Sequence, residues 1–287
     1  MTDDAFDTVL VPVLRELREH LVNLVVIGGW VPELHRRFGT LRQWAVRPLR
    51  TTEVDILVPV PKVAPTDVES LAATLARAGF TPLGREGASA VWERNPTVGE
   101  RIEFFVEHRG AWGTLNDVRP IEPRGRLGAL GLSDVGILRE RSVELAVPIN
   151  ENDAAASVVM VRVPELGSFL VHKGATFRRR TDPVKRAKDL QYVVDVMRSS
   201  DAVVDALQRQ VSSYCAEGGE VAALTRTARN QVSLVVHDPG SADLRLRLGE
   251  ALSVRDGISP GEGDARARGY LTDFVEMVPE ACGDGAR

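Results

Sequence analysis

The segment Glu53-Val54-Asp55-Ile56-Leu57-Val58 sets two carboxylates two residues apart at the head of an apolar run. Stopped by Pro59 and Pro61, it reads as a strand over 53–59. Side chains alternate along a strand, so Glu53 and Asp55 share one face while Val54, Ile56 and Val58 share the other. One face must be buried, and the other must accommodate two like charges. Neighbouring carboxylates repel each other and are costly to desolvate, and a bound divalent cation relieves both penalties. Metal chemistry is the first functional expectation.

The surrounding pattern predicts an α/β region followed by a helical one. Phe6, Val9, Leu10, Val13, Leu14, Leu17 and Leu21 recur at three- and four-residue steps, predicting an amphipathic helix over 4–22. Leu24-Val25-Val26-Ile27 is short and β-rich, a buried strand, and Gly28-Gly29 turns it into a short helix from Trp30 to about Phe38. Thr66-Asp67-Val68-Glu69 is a capping-box pattern for a helix that Gly79 ends. Strands follow near 89–93 and 101–106; in the second, Glu103, Phe105 and Glu107 alternate with Ile102, Phe104 and Val106. Between 109 and 142 Gly, Pro and Arg break every pattern. A last strand, 157–163, precedes an all-helical second half, in which 255–268 reads as a loop.

The fold class expected is therefore α+β, with a mixed sheet and a mostly helical C-terminal domain. Its expected parts are a catalytic domain over 1–164, a helical domain over 165–281 and a disordered tail over 282–287. A net charge of −4 argues against a broadly basic surface, so any positive region must be local. Cys215 and Cys282 have no metal-ligand spacing and read as unpaired thiols in a reducing cytosol. No apolar run approaches the ~20 residues of a membrane span. The start Met-Thr-Asp-Asp is acidic, unlike a signal peptide. A cytoplasmic protein with no membrane partner is expected.

A strand, a Gly-Gly turn and a helix start allow close backbone approach and offer unpaired N–H groups to a phosphate. Standing alone, Gly-Gly is more often a plain tight turn. Beside a carboxylate pair, an anion site is what a nucleoside triphosphate (NTP) with magnesium requires. Gly28-Gly29, Thr51-Thr52-Glu53-Val54-Asp55-Ile56 and the later Glu103 together resemble the nucleotidyltransferase fold of the DNA polymerase β superfamily. Val163-Pro164-Glu165, Phe169-Leu170-Val171-His172-Lys173, Arg178 to Arg180 and Lys188-Asp189-Leu190 are similar to its AbiEii-type branch, which includes type IV toxin–antitoxin toxins. The resemblance spans roughly residues 20–200, with specific matches at about twenty positions.

The resemblance implies that Glu53 and Asp55 hold Mg²⁺ (or Mn²⁺), and that Glu103 completes the metal site and helps deprotonate the attacking hydroxyl. It lays Gly28 and Gly29 against the triphosphate. Lys173 and Arg178 contact phosphates, and Asp189 is a supporting helical carboxylate. The implied acceptor is an RNA 3′ end such as that of tRNA, and the implied partner a cognate antitoxin protein. The alternatives are adenylylation of a small molecule such as an aminoglycoside, and a catalytically silent homologue that binds nucleotide, RNA or protein. Three departures stand out: twenty-three residues between Gly29 and Glu53, Glu rather than Asp at position 53, and Tyr192 where relatives carry an acid.

Some signals are independent of the resemblance. Lys173 interrupts the apolar stripe Leu166, Phe169, Leu170, Phe177, where a core residue is expected: it is either a lysine snorkelling at the stripe's edge or an inward ammonium aimed at phosphates. Arg178, Arg179, Arg180, Lys185, Arg186 and Lys188 form a basic cluster, either a solvated face or a track for an RNA backbone or the triphosphate tail. Glu107 shares the face of Glu103 and is a substitute third ligand. Trp30 and Trp44 are large enough to stack on a base, and Trp30 is expected against the sheet.

Overall fold

The computed structural model describes residues 5–39, 41, 49, 51–59, 70–84, 88–94, 100–108, 118–121, 127–149 and 158–282. The chain divides into two compact units, 1–39 with 50–165 and 40–49 with 166–287. The architecture is α+β, a mixed sheet followed by a helical region.

The first unit opens with a π-helical turn (Phe6–Leu10) that runs into α1 (Val11–Glu16). Pro12 cannot donate a backbone hydrogen bond, and the ladder widens at that point. The helix expected to reach residue 22 stops at Glu16, because Leu17 leaves helical geometry; a 3₁₀ turn (Leu21–Asn23) follows. The predicted stripe from Phe6 to Leu21 is buried throughout. Next come β1 (Val25–Ile27), α2 (Trp30–Phe38), β2 (Glu53–Leu57), α3 (Leu71–Arg77), β3 (Thr81–Leu83), β4 (Val91–Arg94) and β5 (Glu100–Glu107). The unit closes with β6 (Val118–Pro120), β7 (Gly128–Leu132), α4 (Gly136–Glu140), β8 (Ser142–Pro148) and β9 (Val158–Pro164). The Thr66–Glu69 pattern lies outside the described residues. Instead the Ser70 hydroxyl accepts from Ala73 N–H and caps α3. β3, β6, β7 and β8 were not foreseen.

The strands run in the order β3-β4-β5-β2-β1-β9-β8, with β7 also paired to β5 and β6 to β7. β2 is antiparallel to β1 and parallel to β5, and these three central strands carry the candidate site. Val26, Val54, Ile56, Ile102, Phe104 and Val106 point into one apolar core, together with Phe6, Trp30, Leu34 and Leu75. Each such side chain contributes about 1.5–3 kcal/mol of burial, which fixes the register of β2 and β5.

The second unit comprises α5 (Leu166–Thr176), a 3₁₀ turn (Phe177–Arg179), α6 (Pro183–Met197), α7 (Asp201–Glu217), α8 (Gly219–His237), α9 (Ala242–Asp256) and α10 (Pro260–Met277). α5 is buried from Leu166 to Ala175, making it the unit's central helix. Residues 260–268, read as a loop, are the first half of α10. Ser259 and Glu262 form a reciprocal capping box with Pro260 in the first turn, so the Ser-Pro-Gly-Glu run that looked like a breaker starts a helix. α9 and α10 cross closely: a Cβ on Gly263 would fall 2.1 Å from the Gly249 carbonyl oxygen.

The cysteines, expected to be free thiols, form a disulfide. Neither count nor spacing could reveal it; the helical packing brings two positions 67 residues apart to a Cα–Cα distance of 4.6 Å. Cysteine usage therefore does not point to a reducing compartment. Cys282, placed by sequence in the tail, is buried, and 283–287 lie outside the described residues. Among the described residues no helix is long and apolar enough to cross a membrane.

Candidate active site

Parallel pairing sets Glu53 beside Arg101 and Asp55 beside Glu103, and antiparallel pairing sets Asp55 beside Ile27. Laterally paired residues share a face, so Glu53, Asp55, Arg101 and Glu103 form one polar patch opposite the apolar core. Neighbouring strands lie about 4.8 Å apart, so Asp55 and Glu103 are lateral neighbours on this face. All three acids are half-buried. The Thr51 hydroxyl donates to the Glu53 carbonyl at 3.3 Å and ties down the strand entry.

Gly28 follows Ile27 and packs against this patch. Its φ is +71°, and a Cβ there would fall 1.9 Å from Asp55 Oδ2. The space beside the Asp55 carboxylate exists because position 28 has no side chain. Gly29 then serves as N-cap of α2 without a side-chain cap; Val31 N–H already bonds the Gly28 carbonyl at 3.3 Å and Pro32 has no N–H, so an anion at this helix start would meet the N–H groups of Gly29 and Trp30. Trp30 is buried edge-on to Phe6, with ring centroids 6.2 Å apart, so it is core rather than a base-stacking platform. Trp44 lies outside the described residues.

One cation on this face was missed. Arg101 Nη2 contacts Glu103 Oε1 at 2.5 Å, and Nη1 lies 3.9 Å from Glu53 Oε1. The two-residue step to Glu103 marks it in the sequence. Among the described residues no group of three His, Cys, Asp or Glu side chains is drawn together to hold a metal ion. The donor set still fits a hard divalent cation: three carboxylates on one face of paired strands, with the cleared space at Gly28 beside Asp55. Glu107, the substitute ligand, pairs with Arg139 at 3.2 Å.

In the helical unit, Lys173 and Asp189 come together. Lys173 Nζ donates to Asp189 Oδ1 at 2.5 Å, and Arg180 Nε donates to Oδ2 at 3.1 Å. Lys173 also lies over the rings of Phe169 and Tyr192, at 5.8 and 5.4 Å. Burial alone would raise the Asp189 carboxyl, but the charges and hydrogen bonds of Lys173 and Arg180 outweigh it and hold it below the usual range. Tyr192 is buried beside Phe169. Arg178 is exposed and donates to the Ser241 hydroxyl at 3.3 Å. Arg179, Arg180 and Lys185 are exposed; Arg186 and Lys188 are half-buried. A second buried pair escaped sequence reading: Arg255 grips the fully buried Asp195 with two hydrogen bonds, at 2.5 and 2.9 Å.

Compared with known proteins, the chain matches a family model described as nucleotidyltransferase over residues 10–213. That span contains every candidate residue named above. No curated protein and no solved structure matches the chain.

Proposed function

From a chain that belongs to this nucleotidyltransferase family, and so is an enzyme moving a nucleoside monophosphate from an NTP, we propose that the acceptor is an RNA 3′ hydroxyl and that the transfer depends on magnesium. The observation that carries the metal dependence is the shared face of Glu53, Asp55 and Glu103, with Gly28 clearing the space beside Asp55. The exposed arginines and Lys185 around Arg178–Lys188 support a polyanionic acceptor in a protein that is otherwise net negative.

Glu53, Asp55 and Glu103 would hold the cation, which would supply charge neutralisation at the phosphates and acidify the acceptor hydroxyl. Glu103 takes up the hydroxyl proton as the acceptor oxygen bonds to the α-phosphorus and the bond to the leaving pyrophosphate breaks. The backbone of Gly28 and Gly29 and the Trp30 N–H at the head of α2 receive the triphosphate. Within the helical unit Asp189 holds the Lys173 ammonium in place, and the phosphate contacts of Lys173 and Arg178 are what the resemblance implies. Catalysis here is mostly positioning and electrostatics. The AbiEii-type likeness of the helical unit further supports a toxin or phage-defence role opposite an antitoxin protein.

The test incubates purified protein with each α-³²P-labelled NTP, Mg²⁺ or Mn²⁺, and total bacterial RNA. Wild type labels RNA; Asp55→Asn lowers the rate by about a thousandfold, the scale of removing a main electrostatic group. Gly28→Ala, which drives a methyl into Asp55, loses activity while costing about 1–2 kcal/mol of stability. Label that never reaches RNA, but reaches an aminoglycoside acceptor, overturns the RNA reading.

A further inference from the structure

We propose that Arg101 is a built-in counter-ion of the carboxylate face, holding the place of a divalent cation until the metal displaces it. The inference rests on the reading that Glu53, Asp55 and Glu103 bind that metal. Three acids on one face of paired strands need positive charge to be stable together. Arg101 supplies it from within, as the lateral neighbour of Glu53 and two residues from Glu103 on the same strand face.

The contact is built to be exchanged. A full guanidinium–carboxylate fork has two parallel hydrogen bonds. Arg101 makes one short contact, to Glu103, and only a long one of 3.9 Å to Glu53. Its Nε is buried without a hydrogen-bond partner among the described residues. Its side chain is 37% exposed, so it has a path out into solvent. By contrast, Arg94 on the same hairpin is committed: it pairs with Glu100 at 2.8 Å, donates to the Ala78 carbonyl and covers the Phe80 ring. A metal approaching Glu103 must first break the Arg101 contact, so the resting enzyme binds the bare cation weakly.

The experiment is Mn²⁺ binding without nucleotide, read from the electron paramagnetic resonance signal of the free ion. It compares wild type, Arg101→Ala, Arg101→Lys, Arg94→Ala and the double variant Arg101→Ala/Asp55→Asn, each checked for folding by its melting temperature. Loss of one partly exposed guanidinium contact is expected to tighten Mn²⁺ about fivefold in Arg101→Ala. Arg101→Lys falls between, because it keeps the charge without the planar fork. Arg94→Ala removes an equal charge from the same hairpin and stays within about twofold of wild type. The double variant loses the site.

Unchanged or weaker Mn²⁺ binding in Arg101→Ala overturns the proposal, as does equal tightening in Arg94→Ala. If adding Asp55→Asn to Arg101→Ala still abolishes binding in either case, the metal site itself stands. Absence of Asp55-dependent Mn²⁺ binding in every protein, with or without NTP, defeats the underlying reading and the proposal together.

Discussion

Two residues on the same strand face had unequal visibility. Glu103 was legible because it interrupts an apolar alternation, and the alternation itself named its face. Arg101 obeys the same two-step rule, yet a cation among acids does not look like a metal site, and it was passed over. The partner of His35 was invisible for another reason. His35 Nε2 pairs with the Pro164 carbonyl at 2.9 Å, a backbone atom that no side-chain pattern announces. Burial pulls its pKa down to about 4 from 6.5, with the hydrogen bond to Pro164 opposing part of the shift. The folded state therefore favours the neutral ring. The stability this contributes is complete above pH 6.5 and is lost as pH falls toward 4, because the unfolded chain takes up the proton first. The loss is on the order of 3 kcal/mol. Urea unfolding of wild type and His35→Gln at pH 7.5, 5.5 and 4 should show their difference shrinking by that amount; a constant difference overturns the assignment.

At the scale of elements, strong periods read well and composition read badly. β1, α2, β2, β5 and β9 were placed within one or two residues at most ends, because apolar runs or alternation marked them. β3, β6, β7 and β8 were missed: the first three are short and carry Pro or Gly, and β8 begins inside the unread stretch. The Lys173 signal was legible as an anomaly, but its partners were fixed only once α6 packed beside α5. Breaking that pair leaves a buried carboxylate with only Arg180. Lys173→Met should cost about 3–5 kcal/mol in denaturant unfolding. Lys173→Met/Asp189→Leu should recover most of that stability without recovering transfer activity. Recovery of activity alongside stability would show that the pair is structural only.

Across the whole molecule, the division into a sheet-bearing and a helical region was legible, but what closes each was not. The disulfide ties the C-terminal end of α7 to Cys282 and encloses α8, α9 and α10. For a loop of this length the chain-entropy estimate is on the order of 4 kcal/mol. Cys215→Ser/Cys282→Ser should lower the denaturant midpoint accordingly, and reductant should destabilise wild type but not the double variant. Equal midpoints would mean the bond contributes nothing. Sheet order was equally hidden, since β1 sits between a strand that follows it closely and one that follows far later: Val25 pairs with Leu57 on one side and Arg162 on the other. That position gives the molecule a schedule of assembly. On a ribosome, β1, β2 and β5 can associate as soon as β5 has emerged, with the acidic face already formed and one border of β1 open. The border closes only when β9 arrives, so the nascent enzyme carries its charged centre before it carries the strand that seals it.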